Sequence, residues 1–324
     1  MDESQAGHNH ERNKTKTSFT KSRSAKSGWV TSDQKLTGKT VVITGANTGI
    51  GLETAVDMAE RDAKLIIACR DPRRGESALK HIVAETGSQR VRFSLLDLSS
   101  FSSVRQFVEN FKNEEQRLDI LINNAGIMMC PQSTTQDGFE THFGVNHLGH
   151  FLLTYLLLDL IKASAPSRII TLSSVMHRRL YNAHIHWNDL NLKKSYNARD
   201  AYSQSKLMNV LFSRELAKRL EGTGVTTYCV HPGLVNTKLV KYAGTHGNCW
   251  DTLFGCVTKS TKGFWKTPRH GAQTTIYCAI APELENETGK YYSECKKARE
   301  ASSGRDDGAA CKLWEISMNL VEQN

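Results

Sequence analysis

The sequence predicts a doubly wound α/β domain: one parallel sheet of about seven strands with helices on both faces. Three observations carry that prediction. Short aliphatic runs alternate with helical segments from Thr40 to Ser293, the pattern of strands joined by crossover helices. The first run ends in a glycine-rich turn that opens directly into a helical pattern, a junction that open parallel sheets use to receive a ligand. The length of 324 residues suits one such domain of roughly 250 residues plus tails.

Taken in order, residues 40–45 (Thr-Val-Val-Ile-Thr-Gly) form the first strand. They lead into Gly45-Ala46-Asn47-Thr48-Gly49-Ile50-Gly51 and a helix from Leu52 to about Arg61. A strand, a glycine turn and a helix N-terminus bring backbone N–H groups and a positive helix end to one point, where a pyrophosphate binds. An ordinary helix cap would explain one of these glycines but not three. The second strand, Lys64–Cys69, ends at Arg70. An acidic residue there would hold the adenosine ribose hydroxyl, whereas arginine suits a 2′-phosphate or stacks on adenine. Asp71 follows and works against that reading, while Arg73 and Arg74 add to it. The balance favours NADP over NAD.

A helix at about Arg74–Glu85, a strand at Val91–Leu98 and a helix at Phe101–Phe111 come next. An apolar strand, Leu118–Ile122, then runs into Asn123-Asn124-Ala125-Gly126. Asp97, at the end of the third strand, also reads as a helix N-cap. A long helix is expected over about Phe139–Lys162. Asn146 within it is out of place unless its amide binds backbone or water. His142, His147 and His150 lack a convergent spacing and an acidic partner, so no metal site is expected. The fifth strand, Arg168–Leu172, ends in Ser173-Ser174, hydroxyls at the carboxyl end of a strand and hence at the ligand crevice.

Residues 176–198 read as a loop, and a helix then runs from Tyr202 to about Leu220. Tyr202 and Lys206, four apart, share one helix face. An ammonium beside a phenol favours the phenolate and lowers its pKa from about 10, which makes the pair a candidate general acid/base at an alcohol oxygen. Alone, this spacing also fits a solvated helix face. A sixth strand, Val225–Val230, precedes His231-Pro232-Gly233. Residues 239–267 carry Tyr242, Trp250, Phe254, Phe264 and Trp265, which read as a core helix pair, a substrate lid or a membrane-surface patch. A helix at Pro268–Ala281 and a strand at Gly289–Ser293 close the sheet.

The remainder bounds the function. Hydrophobic content of 39% and charged content of 23% are ordinary for a globular protein. A net charge of +9 gives weak attraction to anionic ligands or surfaces. With no zinc-finger spacing, RNA-binding signature or long basic run, nucleic acid is not an expected partner. The eight cysteines form no Cys-x-x-Cys pair and read as free thiols in a reducing compartment. Residues 1–36 are polar, without the apolar core of a signal peptide or the roughly 20 apolar residues of a membrane span. They are expected to be a dispensable tail. The domain is expected over 37–297, with 298–324 as an extension ending in a short helix at Ala310–Leu320. These features point to a cytoplasmic protein or one in peripheral membrane contact.

In order, the glycine turn, Asn123–Gly126, Asn146, Ser173-Ser174, Tyr202 with Lys206, and Pro232-Gly233 resemble the short-chain dehydrogenase/reductase family, across about residues 38–295. Within it, the stretches TGANTGIG, ACRD, NNAGIM, VNHLGHFLLT and YSQSK are most similar to the retinol dehydrogenase branch. The resemblance implies a Rossmann-type domain and an NADP(H)-dependent oxidoreductase acting on a small apolar carbonyl or alcohol. It implies Asn146, Ser174, Tyr202 and Lys206 as the catalytic set, with Ser174 on the substrate oxygen and Asn146 holding a water that connects Lys206 to solvent. It also implies cofactor contacts from Gly45, Asn47, Thr48, Gly49, Ile50, Gly51, Arg70, Asp97, Leu98, Asn124, Ala125, Gly126, Tyr202, Lys206, Pro232, Gly233, Val235 and Thr237. Retinal/retinol is the leading substrate pair and lipid-derived aldehydes come next. A helix-mediated homodimer is the default assembly. A catalytically idle dinucleotide-binding regulator is the alternative, against which the full catalytic set argues.

Overall fold

A computed structural model describes residues 28–178, 183–237, 239 and 265–323. Among them, eight strands form one sheet in the order β3-β2-β1-β4-β5-β6-β7-β8. These are β1 (Thr40–Thr44), β2 (Lys64–Cys69), β3 (Val91–Leu95), β4 (Ile120–Asn123), β5 (Ser167–Leu172), β6 (Val225–His231), β7 (Lys290–Ser293) and β8 (Lys296–Ala298). The first seven are parallel, and β8 pairs antiparallel with β7. The chain winds outward in both directions from β1 and β4, so a crevice lies at the carboxyl ends of those neighbours.

Alternate residues of each strand feed two cores. Val42, Ile66 and Leu121 face one side, packed by α3 (Phe101–Glu114), α4 (Gly149–Ala163) and α5 (Ala198–Arg219). Val41, Ile43, Leu65 and Ile122 face the other, packed by α1 (Gly49–Glu60), α2 (Pro72–Thr86) and α6 (Pro268–Ile280). Local chemistry sets the helix ends. The Asp71 carboxylate accepts from Arg74 N–H, Pro72 follows it, and Gly87 at φ 72° closes α2. Ser100 caps α3 through Ser103 N–H, and the Asn197 side chain accepts from Arg199 and Asp200 N–H to start α5.

The structure departs from the sequence reading in four places. The eighth strand was not expected, because Lys-Lys-Ala carries no strand pattern. Its turn, Glu294-Cys295, has φ values of 56° and 54°, the two-positive-φ geometry of a tight hairpin without the usual Asn-Gly. Second, the long fourth helix starts at Thr141 and is interrupted by a π-helical segment, Phe143–Leu148, before α4.

Third, residues 28–36 are not a dispensable tail. Val30 is buried and its N–H donates to Gln273 Oε1. Trp29 stacks on His270, and Arg61 Nη1 donates to the carbonyls of Ser32 and Gln34.

Fourth, the C-terminal extension belongs to the core. Helix α7 (Asp307–Glu322) buries Leu313, Trp314 and Val321. The Trp314 ring meets Phe151 of α4 edge-on at 4.9 Å and stacks on Phe212 of α5. Among the described residues, Phe143–Ala163 is long and apolar enough to cross a membrane, but most of it is buried inside the domain. The described cysteines, Cys69, Cys130, Cys229, Cys278, Cys295 and Cys311, are all free.

Candidate active site

The site grows from three strand ends and one helix. At the end of β1, Gly45 has φ 66° and a side chain there would strike Ala125 Cα at 2.8 Å, so the turn and the Asn123–Gly126 segment pack backbone to backbone. Thr44 Oγ1 fixes that contact by accepting from Asn124 N–H at 3.0 Å and Ala125 N–H at 2.9 Å. Asn124 Nδ2 returns a bond to Thr44 O at 2.7 Å. Gly51 is close-packed for the same reason, since a Cβ would lie 2.4 Å from Asn124 Nδ2.

The Thr48 side chain makes no capping bond at the start of α1. The first N–H groups of that helix therefore lack a side-chain acceptor, as an anion site requires. Asn47, Gly49 and Ile50 are part-buried around it, and Thr48 is exposed.

The adenosine end lies past β2 and β3. Arg70 is exposed and lines an open depression with Asp97, Ser102, Ser103 and Gln106. Asp71 is spent on its own helix through Arg74 N–H and Arg74 Nε. Asp97 Oδ1 accepts from the Ser99 N–H and hydroxyl. The Leu98 side chain lies in the core, and β3 stops at Leu95 rather than Leu98, so any cofactor contact by Leu98 falls to its backbone.

At the end of β5 the two serines separate. Ser173 is buried and its hydroxyl donates to Lys206 O at 2.7 Å, tying β5 to α5. Ser174 is part-exposed and accepts from Met176 N–H, and its hydroxyl is near enough to the Tyr202 phenol to oppose the effect of burial on it. Tyr202 and Lys206 are each 4% exposed. Lys206 Nζ lies 5.8 Å from the Tyr202 ring centre and donates to Leu172 O at 3.1 Å.

The expectation that the ammonium lowers the phenol's pKa fails in the protein alone. Burial pushes the phenol up to about 12, and the Ser174 hydroxyl opposes this only in part. Burial also brings Lys206 down to about 8, with Cys229 opposing. Both groups lose water, and desolvation exceeds an attraction across this separation.

Asn146, in the π-helical segment, is fully buried. Its Oδ1 accepts from Ile127 N–H at 2.9 Å, and its Nδ2 donates to Ile127 O and to Ser205 Oγ. A Cβ on Gly126 would sit 3.3 Å from Asn146 Oδ1 and 3.5 Å from Lys206 Nζ, so glycine lets the loop backbone close on both. Among the described residues, Leu172 O is the one acceptor bonded to Lys206 Nζ, which leaves ammonium hydrogens for a ribose hydroxyl. With the uncapped α1 N-terminus, this makes the residues a fit for a dinucleotide.

After β6, Val235 is buried and bridges to Lys266, Pro232 and Thr237 are part-buried, and Gly233 takes φ 91° against the Lys266 side chain. The aromatic stretch beyond, at positions 240–264, lies outside the described residues. An apolar wall that the sequence did not announce is Met128, Met129 and Met176 packed with Ala198 and Tyr202, and flanked by Val175 and Tyr196. Its members come from three separate segments, so no local pattern marks it.

The histidines also need correction. His142 does have an acidic partner, the Glu140 carboxylate, which accepts at 2.7 Å from His142 Nδ1. His150 Nε2 meets Thr44 Oγ1 and His147 Nε2 meets Ser317 Oγ, each at 2.9 Å. The three rings thus serve separate contacts.

A glycine turn at a helix N-terminus, a part-exposed serine beside a buried Tyr-Lys pair and a doubly wound sheet define a dinucleotide-dependent oxidoreductase. Sequence comparison agrees: the short chain dehydrogenase family pattern matches residues 39–187. Mouse retinol dehydrogenase 11 is 49% identical over 295 residues, covering 91% of this chain and 90% of that protein. Human retinol dehydrogenase 12 is 52% identical over 287 residues, covering 89% and 87%. An uncharacterized protein from Mycobacterium paratuberculosis superimposes with a TM-score of 0.70 at 34% identity, covering 89% of this chain and 95% of its own. The chain belongs to the short-chain dehydrogenase/reductase family, in its retinol dehydrogenase branch, and its cofactor class is a nicotinamide dinucleotide.

Proposed function

We propose that the protein interconverts an apolar aldehyde or ketone with its alcohol using NADP(H), with all-trans-retinal and retinol the leading pair and lipid-derived aldehydes next. The observation that carries this reading is the buried Tyr202 phenol, set one helical turn from Lys206 and packed in the methionine wall. Such a wall offers about 0.8 kcal/mol per buried methylene of a substrate chain, and thioethers adapt to irregular apolar shapes.

The bound nicotinamide supplies the hydride. Ser174 Oγ and Tyr202 Oη hold the substrate oxygen, and Tyr202 delivers the proton in reduction. A phenol held near 12 is fully protonated at neutral pH, the form that reduction needs. Lys206 binds the ribose and brings positive charge to the phenolate as it forms. Asn146 holds the Ile127 backbone on the far side and orders the water that returns a proton to Lys206.

Preference for NADP(H) rests on Arg70. It is exposed at the end of β2, while its acidic neighbour Asp71 is committed to capping α2, so a 2′-phosphate meets guanidinium rather than carboxylate. An NADPH cofactor favours aldehyde reduction in cells.

The test is steady-state turnover of the full chain with NADPH and NADH on all-trans-retinal and a chain-length series of straight aldehydes. The reading expects NADPH preference and kcat/KM rising severalfold with each added pair of carbons until the site is full. A flat series, or no turnover of any aldehyde, would overturn it.

A further inference from the structure

The peptide that joins Ser174 to Val175 is held from both sides by imidazoles. Its carbonyl, Ser174 O, accepts from His177 Nδ1 at 2.6 Å. Its N–H, on Val175, donates to His231 Nδ1 at 3.3 Å. His177 is 0% exposed. On the other edge of its ring, Nε2 accepts from Ala301 N–H at 3.0 Å, a contact that reaches 124 positions along the chain into the C-terminal extension.

That extension is itself anchored to the helix that carries Tyr202. Glu300 faces Arg214 of α5 at 3.8 Å. A side chain on Gly304 would strike Val210 Cγ1 at 2.9 Å, so the turn Ser302–Arg305 lies directly on α5. Arg178 Nη2 adds a bond to Arg299 O at 2.7 Å.

We propose that His177 is a positioning residue for Ser174: it passes the hold of Ala301 to the Ser174 carbonyl and so fixes where the Ser174 hydroxyl meets the substrate oxygen. The inference rests on the role proposed for Ser174 above. A backbone N–H can only donate, so Nε2 is the acceptor and the single proton of a neutral ring sits on Nδ1, aimed at Ser174 O; the tautomer follows from this network. Burial lowers the His177 pKa below its ordinary value, with Arg178 adding to it and the Ser174 carbonyl and Glu300 opposing. The neutral ring is therefore the form present at neutral pH.

The turn closes without this ring. Ser174 O already accepts from His177 N–H at 3.1 Å, and Ser174 Oγ accepts from Met176 N–H at 3.2 Å, as in other serine-capped turns. The imidazole adds a second donor to Ser174 O, fixed to a segment distant in sequence. Because Ser174 Oγ is tied to Met176 N–H, a rotation of the 174–175 peptide moves that anchor and the hydroxyl with it. Displacing a group at the reacting centre by about 1 Å costs on the order of 10²-fold in rate.

The test measures kcat of the full chain with NADPH and a long-chain aldehyde, and the melting temperature of each variant. Glutamine sets its amide where Nε2 stood and loses the donor at Nδ1, whereas asparagine keeps an amide donor near Nδ1. His177→Gln should lose about tenfold in kcat with its KM for NADPH unchanged, and His177→Asn should stay within about threefold of native. Ala301 has φ −61°, which proline shares. Ala301→Pro therefore removes the N–H without straining the backbone and should cost severalfold in kcat. Ser174→Ala should itself lose about 100-fold, and in that background none of the three changes should lower kcat further. Equal losses from His177→Gln in both backgrounds, or equal losses from His177→Gln and His177→Asn, would make His177 a packing residue and overturn the inference while leaving the role of Ser174 intact. A native kcat in folded Ala301→Pro would do the same. A Ser174→Ala protein with native kcat would remove the role of Ser174, and the inference with it.

Discussion

Tyr202 and Lys206 sit one turn apart in a dry setting, and burial governs their charge before either feels the other. The consequence is a pH dependence that belongs to Lys206. Its ammonium, brought down to about 8, is charged below that pH and neutral above it. On the proposed role, kcat/KM for NADPH should hold level at neutral pH and fall as pH rises through about 8, since this parameter reports the free enzyme. Lys206→Arg should lose that inflection, because a guanidinium stays charged throughout. The same inflection in both proteins would assign it to another group.

Arg70 carries the second prediction at this scale. Arg70→Asp should shift the kcat/KM ratio from NADPH toward NADH, and an unchanged ratio would make Arg70 a bystander and pass the role to Arg73 or Arg74. The residues proposed to carry the chemistry could be picked out in the sequence because each lies in a short contiguous motif at a strand end or on one helix face. Their protonation was not, because desolvation depends on what packs around α5. Nor was the choice between Ser173 and Ser174 open to spacing. The Ser173 hydroxyl is tied to Lys206 O, which favours Ser174 for the proposed role on the substrate oxygen.

At the scale of elements, β1 through β7 and their helices follow from aliphatic runs, caps and glycines, with ends shifted by a few residues. The misses share one cause, contacts distant in sequence. The N-terminal strap is polar by composition, yet Val30 reaches Gln273 across 243 positions. Helix α7 shows a weak local pattern, yet its Trp314 fills the space between α4 and α5. The π-helical segment lacks a sequence mark of its own, although it sets Asn146 against Ile127.

Removal of residues 1–34 is therefore expected to lower the melting temperature by several degrees. Burial of one valine is worth about 1.5–3 kcal/mol, and about 1 kcal/mol shifts a domain of this size by roughly 2–4 °C. A truncated chain that melts with the full chain would show that the strap adds nothing to stability.

For the whole molecule, the strand order puts β1 and β4 side by side with their chains departing to opposite faces, so the ligand crevice opens between them. The glycine turn, Asn123–Gly126, Ser174 and the Tyr202 helix all reach that edge, although they are spread over some 160 positions of sequence. Fold and family membership explain why a nicotinamide dinucleotide can be held there. The central claim is narrower: Tyr202 moves the proton. Tyr202→Phe keeps the ring and its packing and removes the hydroxyl. Measured with NADPH and a long-chain aldehyde, it should retain near-native cofactor affinity by fluorescence titration and lose roughly 10²–10⁴-fold in kcat. A variant that binds NADPH normally and keeps more than half of the native kcat would contradict the account.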